Sequence, residues 1–193
     1  MFVSQNVVVK YFSISFDYGS PSWNRNILEL IFQHLSRKFS SNHVIYDPFA
    51  GFSTKLEEIA LRYGFKYIVK ADLYLYRHRL GSKESIENPF AAYIDYIAHD
   101  SLMGSIKLSR KVIVVTSPPY PSHAKQLRPY GSFKLFLEHI LNKICRWVRA
   151  CYVECKASEN VIEKVVRNYV MIRELWVMKT QYSKRKHYVI VTY

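Results

Sequence analysis

The stretch 111–120 reads KVIVVTSPPY, and it decides the fold. The run from Val112 to Thr116 is β-branched throughout, which is typical of a strand buried on both faces of a parallel sheet. The two prolines that follow lack backbone N–H donors, so the strand must end beside Ser117. The stretch therefore predicts an α/β protein whose central strand stops at a rigid, polar turn.

Strands and helices alternate on both sides of this stretch. The predicted strands are 43–49, 66–73, 91–99, 111–116, 150–154, 171–181 and 187–193, and the predicted helices include 54–63, 133–148 and 159–168. A further helix runs through Leu35 from a cap at Ser22, and the last two strands form a hairpin around 183–185. This order predicts a mostly parallel seven-stranded sheet with an antiparallel C-terminal hairpin.

Length and charge set the organisation and the class of partner. The 193 residues suit one domain, with a strand extension over 1–20 and a core over 21–193. There are 28 Lys and Arg against 15 Asp and Glu, a net charge of +13, and residues 121–193 hold most of the excess. Such an excess favours a polyanionic partner, more often nucleic acid than a membrane surface.

Other residue types argue against several classes of protein. The three cysteines, Cys145, Cys151 and Cys155, are an odd number and favour buried free thiols over a disulfide framework or a zinc motif. The histidines have no metal-like spacing, so no metal is expected. Trp147 and Trp176 fall within predicted elements and are expected in the core. With no membrane-length apolar run and no signal-peptide pattern, the sequence predicts a cytoplasmic protein.

Polar residues follow several of the predicted strands. Asp47, Asp72, Asp100 and Ser117 stand where strands end, and ligands of open parallel sheets bind at that edge. Asp47 opens a strand-to-helix turn in which Gly51 would let the backbone approach a ligand. Asp72 stands where nucleotide-binding sheets place an acid for ribose hydroxyls. A plain turn and a solvated acid remain the alternatives at these two sites.

The SPPY turn carries the most specific signal. The Ser117 hydroxyl and the Pro118 carbonyl offer two acceptors, and Tyr120 offers a flat ring. A planar base with an exocyclic amino group needs such a set. The alternative is a rigid turn that only terminates the strand.

Together, DPFAGFST at 47–54 and TSPPY at 116–120 resemble the S-adenosylmethionine-dependent nucleic-acid amino-methyltransferases. The resemblance implies a Rossmann-like class I methyltransferase fold, S-adenosylmethionine as cofactor, and a nucleobase amine as methyl acceptor. The form that begins with Ser is seen chiefly in enzymes acting on cytosine N4. Ser53 departs from the usual glycine, and a target-recognition domain is lacking. The implied catalytic residues are Ser117, Pro118, Pro119 and Tyr120, and the implied cofactor-binding residues are Asp47, Phe49, Ala50, Gly51, Thr54, Asp72 and Asp100.

The substrate is expected to be RNA or DNA, with RNA slightly favoured because single-stranded loops need little recognition apparatus. A homodimer or an accessory subunit would be another source of specificity. The expected substrate contacts, weighed against a merely solvated basic surface, are His123, Lys125, Arg128, Lys184 and Arg185.

Two rival functions remain open. The first is a catalytically silent, methyltransferase-like subunit that binds nucleic acid, motivated by Ser53 and the small size. The second is a dinucleotide-dependent Rossmann enzyme, although the lack of G-x-G-x-x-G after the first strand of the core counts against it.

Overall fold

The computed structural model describes residues 7–15, 23–51, 53–72, 93–98, 109–119, 130–180 and 183–193. Strands and helices alternate along the chain, as the sequence predicts. In order they are β1 (Val8–Ile14), α1 (Arg25–Lys38), β2 (Val44–Asp47), α2 (Lys55–Arg62), β3 (Tyr67–Asp72), β4 (Tyr93–Ala98), β5 (Val112–Thr116), α3 (Phe133–Lys143), a 3-10 turn (Cys145–Trp147), β6 (Ala150–Cys155), α4 (Glu159–Asn168), β7 (Ile172–Thr180) and β8 (Ser183–Thr192).

The described strands form one sheet in the order β1-β7-β8-β6-β5-β2-β3-β4. Within it β8 is antiparallel to both neighbours, and the other described pairs are parallel. Strands β2 to β8 are the seven predicted ones, so the mostly parallel sheet with an antiparallel C-terminal hairpin is confirmed. The predicted N-terminal strand joins as an eighth, at the edge beside β7.

Helices cover both faces of this sheet. On one face α1 and α2 bury Ile31, Phe32 and Leu56 against Ile113 of β5. On the other face α3 and α4 pack against the same strand through Val114. The central strand is therefore buried on both sides, which is why its sequence is apolar at consecutive positions.

Several local predictions are wrong. Asn24, rather than Ser22, is the N-cap of α1, because its side chain accepts from the backbone N–H groups of Asn26 and Ile27. The predicted turn at 183–185 is part of β8, since the ladder continues until Ser183 pairs with Thr180. The helix predicted over 133–148 stops at Lys143.

The cysteines and tryptophans also differ from expectation. Cys145 and Cys151 form a disulfide, because the 3-10 turn brings their Cα atoms within 5.5 Å, and Cys155 is the buried free thiol. Burial is thus as expected for all three, but free thiols are wrong for the pair. Trp176 is buried as predicted, whereas Trp147 is 57% exposed, because it lies in the turn after α3 instead of inside the helix.

No helix in the described ranges is long and apolar enough to cross a membrane. The same residues contain no group of three His, Cys, Asp or Glu side chains that could hold a metal ion.

Candidate active site

The carboxyl ends of β2, β5 and β6 lie side by side, and the polar residues there are in contact. Asp47 ends β2, Thr116 ends β5 and Glu154 lies one residue before the end of β6. Because β5 runs between β2 and β6, residues after Thr116 are placed between the two carboxylates. The TSPPY element and the DPFAGFST element therefore begin at the same edge of the sheet.

Asp47 holds three segments of this edge together. Its Oδ1 accepts hydrogen bonds from the Thr116 hydroxyl (2.7 Å) and the Phe49 backbone N–H (3.1 Å), and its Oδ2 accepts from the Trp23 indole (3.3 Å). Burial raises the pKa of Asp47 to about 6, although these hydrogen bonds and the charge of Lys70 act in the opposite direction. The carboxylate is thus mainly ionised at neutral pH, while its environment penalises the charge.

The turn after Asp47 has the backbone that its glycine predicts. Gly51 has a φ of +54°, in the left-handed region, and no described atom lies within 4 Å of the place where a Cβ would be. The Ala50 N–H donates to the Ala71 carbonyl at the end of β3 (3.0 Å), which ties the turn to the neighbouring strand. A glycine here lets a ligand come close to the backbone.

Ser53, the departure from the family pattern, has a local structural role. Its hydroxyl accepts a hydrogen bond from the Lys55 backbone N–H (3.2 Å) at the first residue of α2. The Thr54 hydroxyl bonds Glu58 instead (3.1 Å). A side-chain acceptor at a helix start satisfies an N–H that the helix leaves unpaired, so Ser53, which directly precedes the N-cap residue Thr54, supplies an acceptor that a glycine could not.

A buried lysine that the sequence analysis did not single out binds the same turn from the neighbouring strand β3. Lys70 on β3 is buried and lies in register with Asp47. Its ammonium donates to the Ser53 carbonyl and to the buried carboxylate of Glu57 on α2 (2.7 Å). The sequence did contain a signal for this lysine. A charged residue in an otherwise apolar strand, close to a strand-end aspartate, indicates a buried ionic contact.

Ser117 belongs to a hydrogen-bonded chain that the sequence did not reveal. The Ser117 hydroxyl donates to Glu154 Oε2, and His187 Nδ1 lies 2.7 Å from Glu154 Oε1. Glu154 and His187 are buried, and Ser117 is half-buried. Glu154 falls in a predicted strand and His187 among histidines without spacing, so only the placement of β8 beside β6 joins them.

The remaining predicted residues divide into three groups. Pro118 is buried, Pro119 and Phe49 are half-buried, and the Phe49 ring packs 5.6 Å from that of Phe136. Asp72 ends β3, and Lys184 and Arg185 lie within β8, but their side chains are outside the described part. Outside the described residues altogether are Asp100, Tyr120, His123, Lys125 and Arg128.

Solved structures share this fold. A proposed RNA methyltransferase from Pyrococcus horikoshii superposes with a TM-score of 0.57 at 14% identity, covering 92% of this chain and 91% of that one. A proposed methylase from Haemophilus influenzae gives 0.52 at 16% identity, covering 86% and 87%. An S-adenosylmethionine-dependent O-methyltransferase from Thermotoga maritima gives 0.59 at 8% identity, covering 90% and 67%.

No protein-family model matches the sequence. A search of curated proteins likewise found no significant match. At identities this low, the structural likeness establishes the fold, which is the Rossmann-like methyltransferase fold. Of these three neighbours, the Thermotoga maritima protein is described as dependent on S-adenosylmethionine.

Proposed function

We propose that this protein transfers a methyl group from S-adenosylmethionine to the exocyclic amino group of a nucleobase in RNA or DNA. Cytosine N4 is the favoured acceptor, because the element begins with Ser117. The observation that carries the proposal is the hydrogen bond from the Ser117 hydroxyl to Glu154. This hydrogen bond directs the serine proton toward Glu154 and so leaves the serine oxygen to accept from an amine.

The residues at the edge fit the cofactor in two respects. The left-handed backbone at Gly51 leaves room beside the turn that begins at Asp47. Asp47 is an anion there, which complements a cofactor bearing a sulfonium and an ammonium group. When bound, S-adenosylmethionine supplies an electrophilic methyl group on sulfur. By the family resemblance, Asp47, Phe49, Ala50, Gly51, Thr54, Asp72 and Asp100 would hold it.

Ser117 is arranged to accept from the substrate rather than to donate to it. An ionised carboxylate only accepts hydrogen bonds, so the serine proton is directed at Glu154 and the oxygen lone pairs serve other donors. His187 Nδ1 lies 2.7 Å from the second carboxylate oxygen, and in the tautomer with its proton on Nδ1 it would donate to that oxygen and fix the orientation of Glu154. The Ser117 oxygen and the Pro118 carbonyl would then accept the two amine hydrogens.

The two acceptors on Ser117 and Pro118 would make the exocyclic amine, which is a poor nucleophile, more reactive. The lone pair of an exocyclic amine is delocalised into the ring, and holding both hydrogens draws the nitrogen toward tetrahedral geometry. The nitrogen lone pair would accept the methyl group that the cofactor would supply as a sulfonium, and the electron pair of the S–C bond would stay with sulfur. The proton that nitrogen then loses passes to Ser117 as the serine proton moves to Glu154. No covalent enzyme intermediate is needed.

The structural similarity to the proposed RNA methyltransferase from Pyrococcus horikoshii favours RNA slightly over DNA as the substrate. An unpaired base avoids the few kcal/mol that flipping a base out of a duplex costs. Tyr120 would stack on that base, and the substrate contacts would come from His123, Lys125, Arg128, Lys184 and Arg185. Specificity would come from these residues, from a second copy or from an accessory subunit.

The test is mass spectrometry of nucleosides from RNA and DNA incubated with the protein and deuterated S-adenosylmethionine. We expect labelled N4-methylcytidine, and its loss in Ser117→Ala. Ser109→Ala is the matched control, because Ser109 is exposed and precedes β5 at the other end of the sheet. Cofactor binding without methylated nucleosides would refute the amine acceptor. Nucleic-acid binding without cofactor binding would favour the silent-subunit alternative.

A further inference from the structure

The end of the sheet opposite the candidate active site carries a second group of chemistry-bearing residues. These residues, here called the basic-aromatic surface, are Phe39, Arg110, Lys111, Arg146, Trp147 and Arg149. They follow α1, precede β5 and precede β6, so they lie at the amino ends of the strands whose carboxyl ends bear Ser117 and Glu154. The four basic residues and Trp147 are exposed.

Hydrogen bonds and ring contacts show that the surface is continuous. Arg110 donates to the Val148 carbonyl (2.7 Å), and the Arg149 backbone N–H donates to the Val112 carbonyl (2.8 Å), so the segments before β5 and β6 adjoin. The Arg149 guanidinium lies 5.7 Å from the centre of the Phe39 ring. The Arg146 guanidinium lies 5.4 Å from the centre of the Trp147 ring.

The cations of this surface are grouped together without a carboxylate partner among the described residues. Within the described ranges, no Asp or Glu side chain forms an ion pair with the basic residues of the surface. Several cations elsewhere are neutralised by carboxylates, in the pairs Arg25–Glu58, Arg62–Glu29, Lys134–Glu138, Arg167–Glu163 and Lys186–Glu159. Four positive charges without such neutralisation favour an external polyanion.

Trp147 narrows the chemistry of that polyanion. It is 57% exposed, whereas Trp23 and Trp176 are 3% and 2% exposed. An exposed indole on a basic surface is costly in water but offers a stacking face for a base, and every base has a π-face. Proteins that bind single-stranded nucleic acid combine cations, which contact the phosphates, with aromatic side chains, on which the bases stack.

We propose that the basic-aromatic surface binds a single-stranded segment of nucleic acid, with Arg110, Lys111, Arg146 and Arg149 on phosphates and Trp147 stacked on a base. The site is separate from the candidate active site, because the strand β6 between them spans about 17 Å. The inference goes beyond the proposed function and does not require methyl transfer.

Salt dependence of binding tests the phosphate contacts. Anisotropy of a labelled 20-nucleotide oligouridine is followed between 50 and 300 mM salt for the wild type and for R110Q/R146Q/R149Q. Each lost phosphate contact lowers the slope of log affinity against log salt by about 0.7, so we expect a reduction of about 2. The matched control, R62Q/K134Q/R167Q, removes the same charge from carboxylate-paired positions and should leave the slope within about 0.5 of the wild type.

Tryptophan fluorescence tests the stacking independently of the arginine variants. Because Trp147 is the exposed tryptophan among three, oligouridine should quench the emission that acrylamide also reaches, and Trp147→Ala should abolish this change. We expect about tenfold weaker binding for Trp147→Ala and less than threefold for Trp147→Phe. Thermal melts confirm folding, and cofactor affinity is measured in parallel.

Equal salt slopes for the two triple variants, or oligouridine binding with unchanged Trp147 emission, would overturn the proposal. So would binding of the surface to anionic phosphatidylserine vesicles but not to oligouridine. Because the readout is binding and emission, a failure here leaves the methyl-transfer proposal standing, and a catalytically silent protein would still give the expected result.

Discussion

Two buried glutamates lie on strands separated only by β8, and their side chains have very different partners. Glu154 on β6 is 1% exposed and contacts Ser117 and His187 at the carboxyl edge of the sheet. Glu174 on β7 is 4% exposed and lies toward the opposite end of the sheet, where the Lys10 ammonium (2.6 Å) and the Lys38 ammonium (3.3 Å) neutralise it.

The partners decide what each carboxylate does. Glu174 also accepts from the Trp176 indole and the Tyr193 hydroxyl, at 2.8 Å each. Although burial opposes ionisation, the hydrogen bonds from Lys10, Trp176 and Tyr193 lower the pKa of Glu174 to about 2. A carboxylate whose hydrogen bonds come from cations and fixed donors stabilises the fold. Glu154 instead accepts from the half-buried hydroxyl of Ser117, the group to which our proposal assigns the substrate amine.

The same substitution at both glutamates tests this contrast, and the largest effect is expected at Glu174. Glu174→Gln should lower the free energy of unfolding by about 3 kcal/mol, because two ammonium groups lose their carboxylate. Urea unfolding measures it. Glu163→Gln, which breaks the exposed pair with Arg167, is the control and should cost less than about 0.5 kcal/mol.

The contribution of Glu174 to stability should also depend on pH, in a direction that follows from its lowered pKa. Since the folded pKa of Glu174 is depressed to about 2, its contribution is present above the unfolded value near 4.5 and is lost as pH falls from there to 2. Glu174→Gln should therefore reduce the loss of stability in that window. An unaltered acid limb in the variant would contradict the assignment.

Asp47 should show the opposite slope at the other end of the sheet. Its folded pKa of about 6 lies above the unfolded value of 3.8, so the folded state holds the proton more tightly and stability falls as pH rises between these values. The free energy of unfolding of the wild type, relative to Asp47→Asn, should decline by about 2–3 kcal/mol from pH 4 to pH 6. Parallel curves for the two proteins would show that Asp47 does not titrate in this window.

Glu154→Gln should change rate more than stability. A glutamine can still accept from His187, but its amide donates to Ser117 and so reverses the polarity of that hydroxyl. We expect kcat for methyl transfer to fall about tenfold, or about 1.4 kcal/mol, with the KM for S-adenosylmethionine unchanged. A fall in unfolding free energy as large as that of Glu174→Gln, with kcat intact, would erase the distinction between the two glutamates.

The smallest effect is expected at Ser53, where the family usually has glycine. Ser53→Ala and Ser53→Gly should each lower the free energy of unfolding by about 0.5–1 kcal/mol, because the Lys55 backbone N–H loses its side-chain acceptor. Calorimetry with S-adenosylmethionine shows whether either change alters cofactor affinity. A Ser53→Ala variant as stable as the wild type would mean that this hydroxyl does not stabilise the start of α2.

The sequence predicted one half of the candidate site better than the other. Asp47, Gly51 and Ser117 were recognisable because each follows or interrupts a strand, and strand ends are visible in local patterns. Lys70 and Glu154 were not, because they lie inside strands where an apolar residue is expected. His187 was not, because no local spacing joins it to a partner thirty-three residues away.

Local chemistry in the sequence by itself determined the alternation of strands and helices, the buried central strand and the positions of the DPFAGFST and TSPPY elements at the ends of strands. Those features follow from side-chain periodicity, proline and glycine, which act within a few residues. Only the tertiary structure decided that β8 inserts beside β6 and brings His187 to Glu154. It also decided that Cys145 meets Cys151 and that Trp147 faces solvent. These outcomes depend on strand order and on how a chain reverses, which are set by the packing of the whole sheet and not by any one segment.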